Sequence, residues 1–406
     1  MLAVTESMIG AESGARFLSR RATAWVAAAA AAAEFTAATP ALDLAADEVE
    51  RPTAAHIIEA TIAALDRGET HYTDRTGIAP LRAAVATRFG TLDDLTYEPK
   101  GEVLICGGGR EALFVATQML IEPGDEVLIA EPAPAAYAEG VRLAGGVPIA
   151  VPTLAEERFA LRAEAVRSRI TPRTRALLFG SPATPTGGVT TGADLEALAE
   201  VARTYNLLVI WDETFREYTY GGAEQANLAA LPGMRERTAI VGSFSARYAM
   251  SGWRAGYVVG PVNLIRPVTL MKQALTICSP APSQWAAFAA LDGPQDEADA
   301  AVREIAERRA AAIGALDQLG LRCVGAGTPF LWLDVRALGL SGRMFAELAA
   351  REAAISLRAG EGFGASGHGW VRLTLNAPAD TLMLALGRLA PLVGRLRTGC
   401  GQMGAC

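Results

Sequence analysis

The sequence predicts an α/β fold: a large, mostly parallel sheet covered by helices on both faces, joined to a smaller α+β part. Three observations carry this. Short apolar runs alternate with helical segments from Glu102 onward. Several of those runs stop at glycine, proline or a polar residue, as buried parallel strands do. The residues able to do chemistry gather at the same run ends, where open α/β sheets bind ligands.

Taken in order, "EVLICGGG" is a strand closed by glycines, and "REALFVATQMLI" follows with helical spacing. "DEVLIAEPAP" is a strand ending in prolines, followed by the helix "AAYAEGVRLAG". "GVPIAVP", "RALLFGSP", "LLVIWDE" and "AIVGSFS" are further buried strands, with "TGADLEALAEVARTYN" as a helix between two of them. The C-terminal part reads differently. "VREIAERRAAAIGALDQLG" is a long helix, and "TPFLWLDV" and "GWVRLTLN" are strands around another helix. The predicted division is an N-terminal segment, 1–55, joining a small C-terminal domain, 291–406, with a large domain, 56–290, between them.

Composition narrows the function. The chain has 406 residues, 51% hydrophobic and 20% charged, with a net charge of −7. That is globular composition with ample apolar content for a core. With no basic tract, neither nucleic acid nor an anionic membrane is an expected partner. Five cysteines without close spacing and three histidines give no metal pattern, and reduced thiols point to the cytoplasm. A loose Cys400–Cys406 pair is a minor alternative. "LSRRATAWVAAAAAAAEF" carries twin arginines before a weakly apolar run. It is read as an alanine-rich helix rather than a twin-arginine signal, and it is too short to span a bilayer.

Seven segments, in order, resemble the pyridoxal-phosphate (PLP) dependent aminotransferases of class I and II, the fold-type-I enzymes acting on aspartate, aromatic amino acids or kynurenine. They are "HYTDRTGIAPLRAAVA", "GGGREALF", "EPGDEVLIAEPAPAAY", "SPATPTGGV", "WDETF", "SFSARYAMSGWRAGY" and "WVRLTLN". Each is weak alone; their common order covers the chain from about Leu18 to Leu392. The resemblance implies amino-group exchange between an L-amino acid and a 2-oxo acid, with PLP or pyridoxamine phosphate (PMP) as cofactor. It assigns Gly108, Gly109, Arg110, Ser243, Ser245 and Arg254 to the cofactor phosphate. Backbone amides at a helix N-terminus, hydroxyls and a forked guanidinium suit a phosphate dianion. Asp212 matches the partner of the pyridine nitrogen, and Arg372 the clamp for the substrate α-carboxylate. Tyr72 matches a tyrosine that reaches the partner subunit's phosphate, which implies a homodimer.

The departures are as specific. The family's Schiff-base lysine stands eight residues before the arginine of "GWR"; here that residue is Ala246. A methyl group can neither form the imine nor shuttle the α-proton. Only two lysines exist, Lys100 and Lys272, and neither has the family's position. Thr184 replaces an asparagine and Phe215 a tyrosine that share the cofactor's phenolic oxygen. Pro134 replaces the aromatic residue stacked on the ring, with Tyr137 close by. Asp47 replaces a glycine near the substrate carboxylate. The set favours divergence of the whole site over one replaced lysine. Three readings stay open: an aminotransferase impaired at Ala246, with any PLP or PMP held non-covalently; a lysine-independent enzyme using PMP, an external aldimine or another phosphorylated ligand; and a non-catalytic binding homologue. For the second, His71, Tyr72, Tyr248 and Asp47 are the candidate bases.

Overall fold

The structure, a computed structural model, describes Ser19, residues 42–223 and residues 226–402, with side chains as far as 398. The alanine-rich run and the Cys400–Cys406 pair lie outside the described residues and side chains.

The chain enters through β1 (Leu42–Asp43) and two helices, Ala55–Asp66 and Ala79–Asp93. It then builds a large sheet from β2 (Val103–Cys106), β3 (Glu126–Glu131), β4 (Val147–Pro152), β5 (Thr174–Gly180), β6 (Leu208–Asp212), β7 (Thr238–Ser243) and β8 (Gly256–Val259). Their spatial order is β2-β8-β7-β6-β5-β3-β4. β3 to β7 pair in parallel, while β8 runs antiparallel to both β2 and β7. The sheet is therefore mostly parallel, as expected. These strands are apolar because both faces of the sheet are covered: every residue of the edge strand β2 and of β8 is buried, as are Leu208 to Trp211.

β8 is the strand of this large sheet that the sequence does not reveal, as it also does not reveal β1 or the short strands Arg322–Val324, Ile355–Ser356 and Arg358–Ala359. "GYVV" is four residues long and follows the "SGWRA" turn, so it reads as the tail of a loop. Its direction matters for function. Because β8 runs opposite to β7, its beginning, not its end, lies at the edge where the parallel strands finish. Arg254, two residues before β8, is delivered to that edge.

A second sheet is antiparallel: β9 (Arg322–Val324), β10 (Phe330–Asp334), β12 (Arg358–Ala359) and β13 (Trp370–Thr374), in the order β12-β13-β10-β9. The long helices Asp296–Gln318 and Ala379–Gln402 pack with it, burying Ile305, Leu316, Leu382 and Leu389. β1 pairs in parallel with β11 (Ile355–Ser356), in the register Leu42↔Ile355. This brings the segment after β1 against the C-terminal part of the chain: Leu44 is fully buried beside Phe345 and Leu373. Among the described residues, no helix is long and apolar enough to cross a membrane, and no group of three or more His, Cys, Asp or Glu is placed to hold a metal ion.

Candidate active site

The carboxyl ends of β2, β3, β5, β6 and β7 open into a cavity of about 910 Å³, closed on its far side by β10, β12, β13 and the segment after β1. It is the topological position where α/β sheets bind ligands.

At one end β2 stops and the helix Gly109–Leu120 begins. Gly108 has φ +93°, and a Cβ there would lie 2.4 Å from the Arg254 guanidinium, so only glycine allows that arginine its place. Arg254 is fixed by donating from Nη1 to the Ser251 carbonyl (2.8 Å) and from Nη2 to the Gly107 carbonyl (3.3 Å). The Ser245 amide donates to Ser243 Oγ (3.1 Å). Gly109, Arg110, Ser243, Ser245 and Arg254 all line the cavity. An open helix N-terminus, two hydroxyls and guanidiniums together make an anion cradle.

The next residues inward come from the end of β6 and from the helix that follows β3. β6 ends at Asp212, whose Oδ1 accepts from the Thr214 amide (2.9 Å) and whose Oδ2 accepts from the Tyr137 hydroxyl (2.7 Å). Gly180, opposite Asp212 on β5, leaves room for this pair: a Cβ there would stand 3.3 Å from the Tyr137 oxygen. Burial, reinforced by the Asp212 carboxylate, pushes the Tyr137 phenol well above its usual range, so it remains a donor. Tyr137, expected only near the ring-stacking position, thus has a second task as the partner of Asp212. Neighbouring Glu213 does not line the cavity. It is buried, accepts from Tyr257 (2.6 Å) and pairs with Arg88 and Arg216; burial is what raises its pKa, against both guanidiniums.

Beyond Asp212 the lining changes character. Ala246 lines the cavity with its side chain packed among Leu44, Tyr218 and their neighbours, and its carbonyl accepts from the Tyr218 hydroxyl (3.0 Å). Thr184 also lines the cavity, and its hydroxyl oxygen is buried without a hydrogen-bond partner. Phe215 packs edge-on against Tyr218 and Phe330 and offers no polar atom. Pro134 precedes the helix Ala135–Leu143 and presents an aliphatic ring. No lysine or histidine belongs to the lining. Lys100 is exposed in the turn before β2, at the strand end opposite the glycines. Lys272 is fully buried on the helix Val262–Thr276, its Nζ 3.3 Å from Thr276 Oγ1.

The far end is an arginine–carboxylate cluster. Arg372, in the middle of β13, is buried against Phe330, with Nη2 donating to the Ala45 carbonyl (2.8 Å) and meeting Asp47 Oδ1 at 2.5 Å. Arg358, directly across the β12–β13 register from Arg372, reaches the other Asp47 oxygen at 3.0 Å. Arg358 was not singled out from the sequence; only the pairing of two short strands brings it beside Arg372.

Of the four candidate bases, only Asp47 lines the cavity. Tyr72 is 80% exposed and His71 is also exposed, both outside it. Tyr248 is buried and donates to Gln295 Oε1 (3.1 Å).

The site residues fit a phosphorylated pyridine at the phosphate and ring-nitrogen positions, where a Cβ-free cradle and a fixed carboxylate are present. They do not fit a covalent aldehyde link. Comparison with known proteins bears on the family. The profile of aminotransferase class I and II matches residues 39–389. An aspartate aminotransferase of Geobacillus stearothermophilus is 35% identical over 356 residues, covering 86% of this chain and 90% of that protein. The arginine–pyruvate transaminase AruH of Pseudomonas aeruginosa is 37% identical over 340 residues, covering 83% and 86%. The crystal structure of an aromatic aminotransferase from Pyrococcus horikoshii superposes with a TM-score of 0.86 at 33% identity, covering 87% of this chain and 96% of that one. With the fold, the order of its motifs and these relatives in agreement, the chain belongs to the pyridoxal-phosphate-dependent aminotransferases of class I and II.

Proposed function

We propose that this chain is an aminotransferase-like protein that holds PLP or PMP without a covalent tether, and that its own amino-group exchange is impaired. The observation carrying this reading is a cavity that has an anion cradle and Asp212 yet, among the described residues, no amine in its lining.

When bound, the cofactor ring supplies an electron sink for a carbanion at the amino-bearing carbon. Gly109, Arg110, Ser243, Ser245 and Arg254 line the cavity and would hold its phosphate, with Gly108, outside the lining, leaving room for Arg254, and Asp212 would hold its ring nitrogen. Tyr137 keeps one Asp212 oxygen saturated and orients the carboxylate. The buried Thr184 hydroxyl is free to meet a ligand oxygen. What is missing is a base at position 246 to take up and return the substrate proton, a role worth about 10²- to 10⁴-fold. The relatives named above act on amino acids and 2-oxo acids; the same class is the starting expectation here. Tyr72, exposed in the isolated chain, supports a homodimer in which it serves the partner's phosphate. The free thiols of Cys106, Cys278 and Cys323 are in keeping with the cytoplasm.

The test is equilibrium binding of PLP, PMP and unphosphorylated pyridoxal to the purified chain. Both phosphorylated forms bind, pyridoxal binds at least tenfold more weakly, and Arg254→Gln removes most of that difference. A charged hydrogen bond of about 1.5–3 kcal/mol corresponds to roughly 10- to 150-fold. Equal affinity for pyridoxal and PLP, or no binding of either phosphorylated form, contradicts the reading.

A further inference from the structure

Asp47 makes a second statement about the ligand. Its two oxygens hold Arg372 at 2.5 Å and Arg358 at 3.0 Å, so the carboxylate spans both guanidiniums. The remaining reach of Arg372 Nη2 goes to the Ala45 carbonyl. Arg372 is buried; its charge is matched from within the chain.

The segment bearing Asp47 is pinned on both sides. Before it, the Leu44 amide donates to the Ser356 carbonyl (3.0 Å), and the Leu44 carbonyl accepts from the Thr374 amide (2.9 Å). After it, Glu48 accepts from Ser251 (2.5 Å), Arg51 donates to the Arg247 carbonyl (2.5 Å), and Thr53 donates to the Ala249 carbonyl (2.7 Å). These three ties stitch the segment to the loop that carries Ala246. The backbone on either side of Asp47 is therefore held near the arginines, and its half-exposed carboxylate bridges them. A tethered group competes at an effective concentration in the millimolar range or above. Charge balance agrees: the cavity lining carries five arginines and five carboxylates. A bound phosphate dianion therefore leaves the lining net negative, which disfavours a second anion.

We propose that Asp47 is a built-in occupant of the Arg372–Arg358 pair, so that the cavity takes phosphopyridoxyl ligands whose amine carries no α-carboxylate. The substrate class is then a simple amine, or the matching aldehyde or ketone, in place of an α-amino or 2-oxo acid. This rests on the reading of the site as a phosphopyridoxyl pocket, and the test separates the two.

Two stable probes differ only at the group in question: N-(5′-phosphopyridoxyl)-L-alanine and N-(5′-phosphopyridoxyl)ethylamine. Titration calorimetry measures both against the full chain, Asp47→Gly and Asp47→Asn, with thermal melts confirming that each variant is folded. The readout is the affinity ratio of the two probes within one protein, which a general loss of stability does not move. The unmodified chain is expected to bind the ethylamine probe at least as tightly as the alanine probe. Both variants shift the ratio tenfold or more toward the alanine probe, because the arginines are released. A tenfold preference for the alanine probe in the unmodified chain, or a ratio unmoved in both variants, overturns the role of Asp47 alone. Failure of both probes to bind any folded variant overturns the phosphopyridoxyl reading, and this inference with it.

Discussion

Two regions of the cavity are built differently. At the phosphate end the parts are mostly backbone: the end of β2, the first turn of the helix Gly109–Leu120, and the start of β8. They are tied to the fold. Gly108 has its positive φ and leaves the space that Arg254 fills, and Arg254 in turn holds the Gly107 and Ser251 carbonyls. Replacing any of these disturbs a strand end. At the other end the chemistry hangs on single side chains. The Ala246 methyl belongs to an apolar cluster with Tyr218 and Leu44 while also lining the cavity, so alanine at that position leaves no orphaned charge. An anion site made by the fold persists as long as the fold does, whereas a covalent anchor depends on one side chain.

The sharpest way to break this contrast is to rebuild the missing anchor. Ala246→Lys should attach PLP covalently, seen as a mass gain after borohydride reduction. It should also raise single-turnover conversion of PMP with its carbonyl acceptor by about 10²- to 10⁴-fold. If the two ends are not independent, the lysine variant will bind PLP no differently and exchange no faster. A smaller effect comes from the phenolic-oxygen side. In the Ala246→Lys background, Phe215→Tyr adds a polar atom to the lining, and Thr184→Asn exchanges its hydroxyl for a longer amide donor. Each should tighten PLP by roughly 2- to 10-fold, the value of one net hydrogen bond of about 0.5–1.5 kcal/mol. Dissociation constants check this; a loss from either change would mean that the edge-on packing of Phe215 on Tyr218 and Phe330 is what the site needs.

The smallest effect concerns Tyr218, which braces the Ala246 carbonyl. Burial pushes its hydroxyl up to about 12. An unfolded tyrosine titrates near about 10. The folded state thus keeps a proton that the unfolded state releases, and this contribution is complete below about pH 10 and is lost as pH rises toward 12. Tyr218→Phe should cost about 1 kcal/mol at pH 7 and lose less between pH 9.5 and about 11 than the unmodified chain. Urea melts across that range measure the difference; parallel curves would contradict it.

Much of the fold was legible in the sequence, for a physical reason. Strands buried on both faces must be apolar, so β2, β3, β5, β6 and β7 announce themselves. β8 did not: its four residues give periodicity nothing to act on, and its antiparallel direction is a fact of topology. For the site, glycines at a strand end, hydroxyls and Arg254 were readable because the groups lie along one stretch of chain or at strand ends. Arg358 was not, because it meets Arg372 only through a cross-strand register. The Tyr137–Asp212 bond was equally hidden, 75 residues apart in sequence. Asp47 was visible as a departure, but its grip on two arginines depends on β1 pairing with β11. His71 and Tyr248 lie within the motifs, yet neither lines the cavity.

The central claim is that this pocket holds a phosphorylated pyridine with nothing in it to bond the aldehyde. The direct measurement is to saturate the unmodified chain with PLP, reduce with borohydride, and determine the intact mass and any labelled peptide. The account predicts bound PLP before reduction and an unchanged protein mass after it. A phosphopyridoxyl label on Lys100 or Lys272 at full occupancy would contradict it.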